Sequence, residues 1–193
     1  MKKLMFMIAF FVFVLMSVFA QGFYFDIGLG IGGSSTKING IDISSTFYGV
    51  DELGGELGLK AGYGPIGNKP IYVVGELSGS GHRIFDSHNY LQLNSYLIGP
   101  GIIFYPIPLI QLGLSLGYSW ISNQTDLPGF VMYGSDEGFA WNISAAVDLG
   151  RGNHGCLIGL KYFGATNKLK ISYAEQQASF LGVFIKYAFR QKH

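Results

Sequence analysis

The stretch Gly22-Phe23-Tyr24-Phe25-Asp26-Ile27-Gly28-Leu29-Gly30-Ile31-Gly32-Gly33 alternates two kinds of residue in strict turn. Phe23, Phe25, Ile27, Leu29 and Ile31 are apolar, and Tyr24, Asp26, Gly28, Gly30 and Gly32 between them are polar or small. Successive side chains of a strand point to opposite faces, so this segment has one greasy face and one thin, polar face. The rhythm recurs along the chain. In each repeat the greasy face lacks Asp, Glu, Lys and Arg, while the other face carries Asp26, Glu56, Lys60, Glu76, Asp148, Lys161 and Lys186. Charges kept to one side of many strands predict a barrel in lipid, apolar outside and polar inside.

Seven further runs follow the first. The second, Glu56 to Gly64, places Leu57, Leu59, Ala61 and Tyr63 outward. The third has Ile71, Val73, Gly75 and Leu77 outward, with Tyr72, Val74, Glu76 and Ser78 inward. The fourth, Tyr90 to Tyr105, reads with Leu91, Leu93, Leu97, Ile103 and Tyr105 outward, and with Gln92, Asn94, Tyr96, Ile98, Ile102 and Phe104 inward. The fifth is the clearest, alternating Ile110, Leu112, Leu114, Leu116, Tyr118 and Trp120 with Gln111, Gly113, Ser115, Gly117 and Ser119. The sixth sets Trp141, Ile143, Ala145, Val147 and Leu149 against Asn142, Ser144, Ala146 and Asp148. The seventh sets Cys156, Ile158, Leu160 and Tyr162 against Leu157, Gly159, Lys161 and Phe163. The eighth sets Leu181, Val183, Ile185, Tyr187 and Phe189 against Gly182, Phe184, Lys186 and Ala188.

Eight is an even count, and the connections alternate long and short, as in barrels with long loops on one side and tight turns on the other. The long ones span about Ser34 to Gly54, Gly81 to Asn89, Ser122 to Gly138 and Gly164 to Gln177. Outward Tyr63, Tyr105, Tyr187 and Phe189 are expected at the short-turn end, and Tyr118, Trp120, Trp141 and Tyr162 toward the loops. These are the two levels where amphipathic rings meet a membrane interface. The fold class expected is all-β, an eight-stranded antiparallel up-and-down transmembrane β-barrel.

Composition agrees. Only 13% of the 193 residues are charged and 29 are glycine, which suits a lipid-facing exterior and a crowded interior. Lys2 and Lys3, the apolar run Leu4 to Met16 and Val18-Phe19-Ala20 read as a cleaved signal peptide over 1–20, leaving the barrel at 21–193. A net charge of +1 argues against a nucleic-acid partner, and one cysteine excludes an internal disulfide.

With these features the chain resembles the small eight-stranded members of the outer membrane β-barrel domain superfamily, which includes OmpA-, OmpX- and OmpW-like barrels. The resemblance rests on the signal peptide, on Leu97-Ile98-Gly99-Pro100-Gly101-Ile102-Ile103-Phe104-Tyr105-Pro106, on Leu112-Gly113-Leu114-Ser115-Leu116-Gly117-Tyr118-Ser119-Trp120, and on the final strand. It implies localisation in the bacterial outer membrane, outer-membrane lipid as surroundings, and the barrel-assembly machinery as a partner. That machinery reads a terminal aromatic strand in this family, matched here by Tyr187-Ala188-Phe189, after which Arg190-Gln191-Lys192-His193 follow.

Motifs that mimic chemistry have simpler readings. Gly28 to Gly33 matches G-x-G-x-x-G, but it lies inside the alternation, with no helix to open on a phosphate. His82, Asp86 and His88 share a loop without the rigid spacing of a metal site. No nucleophile set stands out, so no enzyme activity, cofactor or metal is expected. The seven inward charges are expected to form a structural ion-pair network, with Lys60 facing Glu76, Asp26 near Lys186, and Asp148 and Lys161 extending it.

Three functions remain open: a structural or narrow-passage, porin-like barrel for a small, hydrophobic solute; a surface adhesin or ligand-binding scaffold; and a soluble lipocalin-like carrier with the apolar face inward. The second would use loop residues Phe47, Tyr48, Phe130, Met132 and Tyr133.

Overall fold

A computed structural model describes residues 22–66, 69–86, 89–127, 134–150, 152–170 and 174–191, apart from the side chain of Asp136. The signal segment and the loop residues Phe130, Met132 and Tyr133 lie outside these residues, as does His88.

Among the described residues, eight long strands follow one another: β1 (Phe23–Ile38), β2 (Asp51–Tyr63), β3 (Ile71–Phe85), β4 (Tyr90–Ile107), β5 (Ile110–Ile121), β6 (Ser135–Asp148), β7 (His154–Leu169) and β8 (Glu175–Arg190). Each pairs antiparallel with its sequence neighbour, and β1 also pairs with β8, from Tyr24 opposite Arg190 to Ile38 opposite Gln176. The ring is closed. Closure leaves no long edge of unpaired backbone groups, which hydrocarbon could not satisfy. Two-residue strands at Ile41–Asp42 and Gln124–Thr125 add to β1 and β4 at the loop end.

The strands run further toward the loops than the sequence pattern indicates. β1 continues to Ile38, β3 to Phe85 and β7 to Leu169. Beyond the outward aromatics Trp141 and Tyr162, outward positions such as Ser35, Lys37, Thr166, Lys168 and Gln177 are polar. On β1 and β7 both faces are then mostly polar or small, and at the end of β3 the inward Ile84 is matched by the outward Phe85, so the two-residue rhythm disappears and the strand is invisible to a pattern that looks for it.

The exterior carries the apolar residues. Leu29, Ile31, Leu57, Leu114, Ile143, Leu160, Leu181 and Val183 are all exposed, whereas Asp26, Glu56, Lys60, Glu76, Asp148, Lys161 and Lys186 are buried inside. A soluble carrier with an apolar interior is the inverse of this arrangement.

The fourth strand corrects the sequence reading. Leu91, Leu93, Leu97, Ile103 and Tyr105 are buried inside, while Ile102 and Phe104 are exposed outside. The register fixes this phase: Tyr72 pairs with Ile103, Glu76 with Gly99 and Ser78 with Leu97. The physical cause is that β4 is apolar on both faces, so polarity does not distinguish them. Tyr105 therefore leaves the outward aromatic group, and Phe104, expected inside, faces outward. Gly99 and Gly101 are the inward residues there, as thin as the inner faces of other strands.

Candidate functional site in the barrel interior

The alternation brings one face of every strand into a narrow tube, so inward side chains from opposite walls meet. Three levels matter. At the short-turn end Tyr24, Tyr72, Val74, Ile103 and Tyr105 pack together. Tyr24 and Tyr72 rings lie 5.2 Å apart, and Tyr72 meets Tyr105 edge-on at 5.9 Å. Gln111 Nε2 donates to the hydroxyls of both Tyr24 and Tyr105, at 2.8 Å each. Because β1 and β5 are diametrically opposite in an eight-strand ring, the Gln111–Tyr24 bond crosses the lumen. Asp148 and Arg190 pair at 2.6 Å, with the guanidinium 5.1 Å from the Tyr105 ring centre.

The charged level lies above this floor. β2 and β3 are joined by the 64–70 turn, whose register sets Lys60 opposite Glu76. Lys60 Nζ is 3.2 Å from Glu76 Oε2. From the opposite wall, β7 sends Lys161 to Glu76 Oε1 at 3.3 Å and also to Glu56. Asn142 Nδ2 of β6 donates to Glu76 Oε1 at 2.6 Å. At the closing seam Lys186 Nζ lies 3.6 Å from Asp26 Oδ1, while Tyr24 donates to Asp26 Oδ2 at 2.8 Å. Tyr24 and Gln111 thus link the charged level to the floor.

Inner glycines make room for these groups. A Cβ on Gly28 would collide with the Lys186 side chain and the Ile185 carbonyl, and one on Gly113 would sit 2.6 Å from Ser144 Oγ and 3.2 Å from Lys60 Nζ. The glycine-rich inner face is a set of sockets for long charged side chains.

An apolar level follows, where Leu97 of β4 meets Phe163, Phe180, Ala140 and Ala165. β4 and β8 are opposite, so Leu97 and Phe180 also close the tube. Toward the mouth, His82 is buried, 3.2 Å from Thr36 Oγ1 and 3.0 Å from Glu52 Oε2. Asp86 Oδ1 accepts from the Asn89 backbone N–H at 2.8 Å instead of converging with His82. Ile84, Leu91 and Leu93 form a last apolar cluster, on which Ile43, Phe47, Val50 and Leu127 pack. Phe47 is thus seated in the mouth, whereas its neighbour Tyr48 is 97% exposed.

The expected charged residues therefore gather in two levels rather than one. Glu56, Lys60, Glu76 and Lys161 form the centre, Asp26 and Lys186 the seam, and Asp148 pairs below with Arg190. Arg190 is the residue that sequence reading missed. The eighth alternating run in the sequence ends at Phe189, although the inward positions 184, 186 and 188 lead directly to 190.

The first loop is held by Asp42. Partial burial pushes its carboxyl up, but this is outweighed by hydrogen bonds. These come from Ser44 Oγ at 2.8 Å, Ser35 Oγ at 2.9 Å and the Ser44 backbone at 3.1 Å. The carboxyl is held below its ordinary value. A depressed folded pKa gives a contribution present above the unfolded value of about 3.9 and lost as pH falls through the folded one. Amide protection in residues 43–47, the exchange rate relative to that of an unstructured peptide at the same pH, is expected to be high at neutral pH and to fall below about pH 4. Asp42→Ala should show little protection at both; a protected loop in that variant contradicts the anchoring role.

No family model matches the sequence, and no curated protein matches it. Solved structures do. Ail, the attachment invasion locus protein of Yersinia pestis, in complex with the heparin analogue sucrose octasulfate, is similar over 86% of this chain and 97% of its own, with a TM-score of 0.51 and 15% identity. Neisserial surface protein A is similar over 85% of this chain and 95% of its own, with a TM-score of 0.51 and 14% identity. At these identities the likeness is one of fold. The closed ring, the apolar exterior and these neighbours together give this chain the eight-stranded fold of the small bacterial outer-membrane β-barrels.

Proposed function

We propose that the protein is an integral outer-membrane barrel with a structural role, closed to aqueous passage and carrying out no reaction of its own. The observation that carries this reading is the bridging of the lumen from wall to wall: Gln111 to Tyr24, Lys161 to Glu76, and Leu97 packed with Phe180. An eight-strand interior is just wide enough for its own side chains. The inner carboxylates Asp26, Glu56 and Glu76 are engaged by lysines, so the charged cluster reads as filling and holding the tube. A narrow passage for a small hydrophobic solute would have to break these bridges at three levels. Outer-membrane lipid surrounds the barrel in this reading, and the terminal Tyr187-Ala188-Phe189 strand is what the assembly machinery meets.

Planar-bilayer recording tests it. Protein that has inserted and shifts its mobility on heating should give no stepwise conductance. Stable, repeated steps would overturn the closed reading.

A second reading, a scaffold for a surface ligand, draws on one feature. Phe47 anchors the first loop in the mouth while Tyr48 stands fully exposed beside it. An anchored loop presenting an aromatic ring suits partner contact. Tyr48→Ala should then weaken binding in a surface-ligand screen without altering barrel stability.

A further inference from the structure

The outer wall is not uniformly covered. Over β2, β3 and β4, toward the loop end, a groove of about 750 Å³ opens on the exterior. Its floor is low because the outward positions there are Gly55, Gly79 and Gly81: Gly55 is bare, while the Tyr96 ring lies over Gly79 and the Asn94 side chain over Gly81. Register places Gly55 beside Gly81, and Gly79 between Leu57 and Tyr96. Leu53, Leu57 and Leu77 form one apolar side, and Tyr96 stacked on Trp120 (5.1 Å, 16°) forms the other. Its lining changes character along β3. Four residues beyond Gly79, about 13 Å up a strand, stands the exposed Arg83, with Gln92 and Asn94 on the next strand. The Arg83 guanidinium lies 4.7 Å from the Tyr90 ring centre and 5.9 Å from that of Phe85. Among the described residues no carboxylate pairs with it.

We propose that this groove is a binding site for one phospholipid of net negative charge from the surrounding leaflet, with an acyl chain over Gly55 alongside the Tyr96 ring and the phosphate, unbalanced by any cationic headgroup, on Arg83. The order of chemistry fits that occupant. An apolar trough sits at the level of the aromatic girdle, where hydrocarbon begins. A cation with planar N–H donors sits above it, where headgroups lie and where guanidinium pairs with phosphate. Rings beneath the guanidinium fix its position through cation–π contact. A bare wall elsewhere on the barrel would meet only fluid lipid, whereas this site supplies shape for a chain and charge for its headgroup.

The proposal rests on the membrane reading, and its test separates the two. The purified full chain, in detergent micelles, is titrated with dimyristoyl phosphatidylglycerol or dimyristoyl phosphatidylcholine and observed by native mass spectrometry. Wild-type protein should retain one phosphatidylglycerol with about tenfold preference over phosphatidylcholine, the scale of one charge-assisted contact. Arg83→Gln should lose the preference and Arg83→Lys keep part of it. Gly55→Leu should lose both lipids, and it should fold, because a Cβ at Gly55 meets nothing within 4 Å. Equal retention of both lipids by wild type, or unchanged preference in Arg83→Gln and unchanged retention in Gly55→Leu, would overturn the site. So would a dimer that Gly55→Leu dissolves, since a second copy would then be the occupant. A chain that stays soluble without detergent would instead defeat the membrane reading itself.

Discussion

Replacing Lys161 by Met is expected to lower the stability of the refolded barrel by about 3–5 kcal/mol, the cost of stranding a buried charge by removing its partner. Lys161 is fully enclosed and reaches Glu56 and Glu76 from the opposite wall. Glu76 retains Lys60 and Asn142 after the substitution. Glu56 keeps no ion pair among the described residues, so most of the loss falls there. Adding Glu56→Gln should recover much of it, because the unpaired charge is gone. Equilibrium unfolding in vesicles measures both. A single variant as stable as wild type, or a double variant no better than the single, would mean that Glu56 is not the stranded group.

The second large effect is at the seam. Lys186→Asp places two carboxylates where Asp26 and Lys186 now lie 3.6 Å apart. Like charges in a confined, weakly screened space repel, and both groups lose their counter-charge. The single reversal should therefore destabilise the β1–β8 pairing by several kcal/mol, on the scale of about 3–5 kcal/mol, and slow assembly into the heat-modifiable form. Reversing Asp26 to Lys as well restores an opposite pair and should recover part of the loss. Recovery will be incomplete, because Tyr24 now donates to Asp26 and would face an ammonium. If the double reversal behaves like the single one, the seam contact does not contribute to closure.

What could be read from the sequence follows from where polarity differs between faces. β5 alternates leucine with glycine and serine, and its phase was plain. β2 and β3 carry Glu56, Lys60 and Glu76, and one turn between them sets the Lys60–Glu76 register. β4 gave the wrong phase because Leu97 and Ile103 inside are as apolar as Ile98 and Ile102 outside. Gln92 and Asn94 then drew the reading the wrong way, although they lie near the loop end, where the outer face is itself polar. A better signal was present: Gly99 and Gly101 share a phase, and small residues mark the inner face of β1 and β5, although on β3 Gly75, Gly79 and Gly81 face outward. The cross-lumen contacts were not legible at all. Which lysine meets which carboxylate across the tube depends on strand tilt and stagger, which no single strand encodes. The outer groove was equally hidden, since it forms only when glycines from neighbouring strands come into line.

Contacts between methyl groups and acyl chains distinguish an apolar exterior in lipid around a sealed interior from the inverse arrangement. They can be read by nuclear Overhauser effects on wild-type protein in lipid nanodiscs with labelled Ile and Leu methyls. Lipid cross-peaks are expected for Ile102, Leu114, Ile143, Leu160 and Ile185, all exposed, and none for Leu97, Ile103 or Leu157, all fully buried. Lipid contacts at Ile103 and Leu97 without contacts at Ile102 would restore the inverted phase of the fourth strand. Lipid contacts at none of these positions would contradict the membrane barrel altogether.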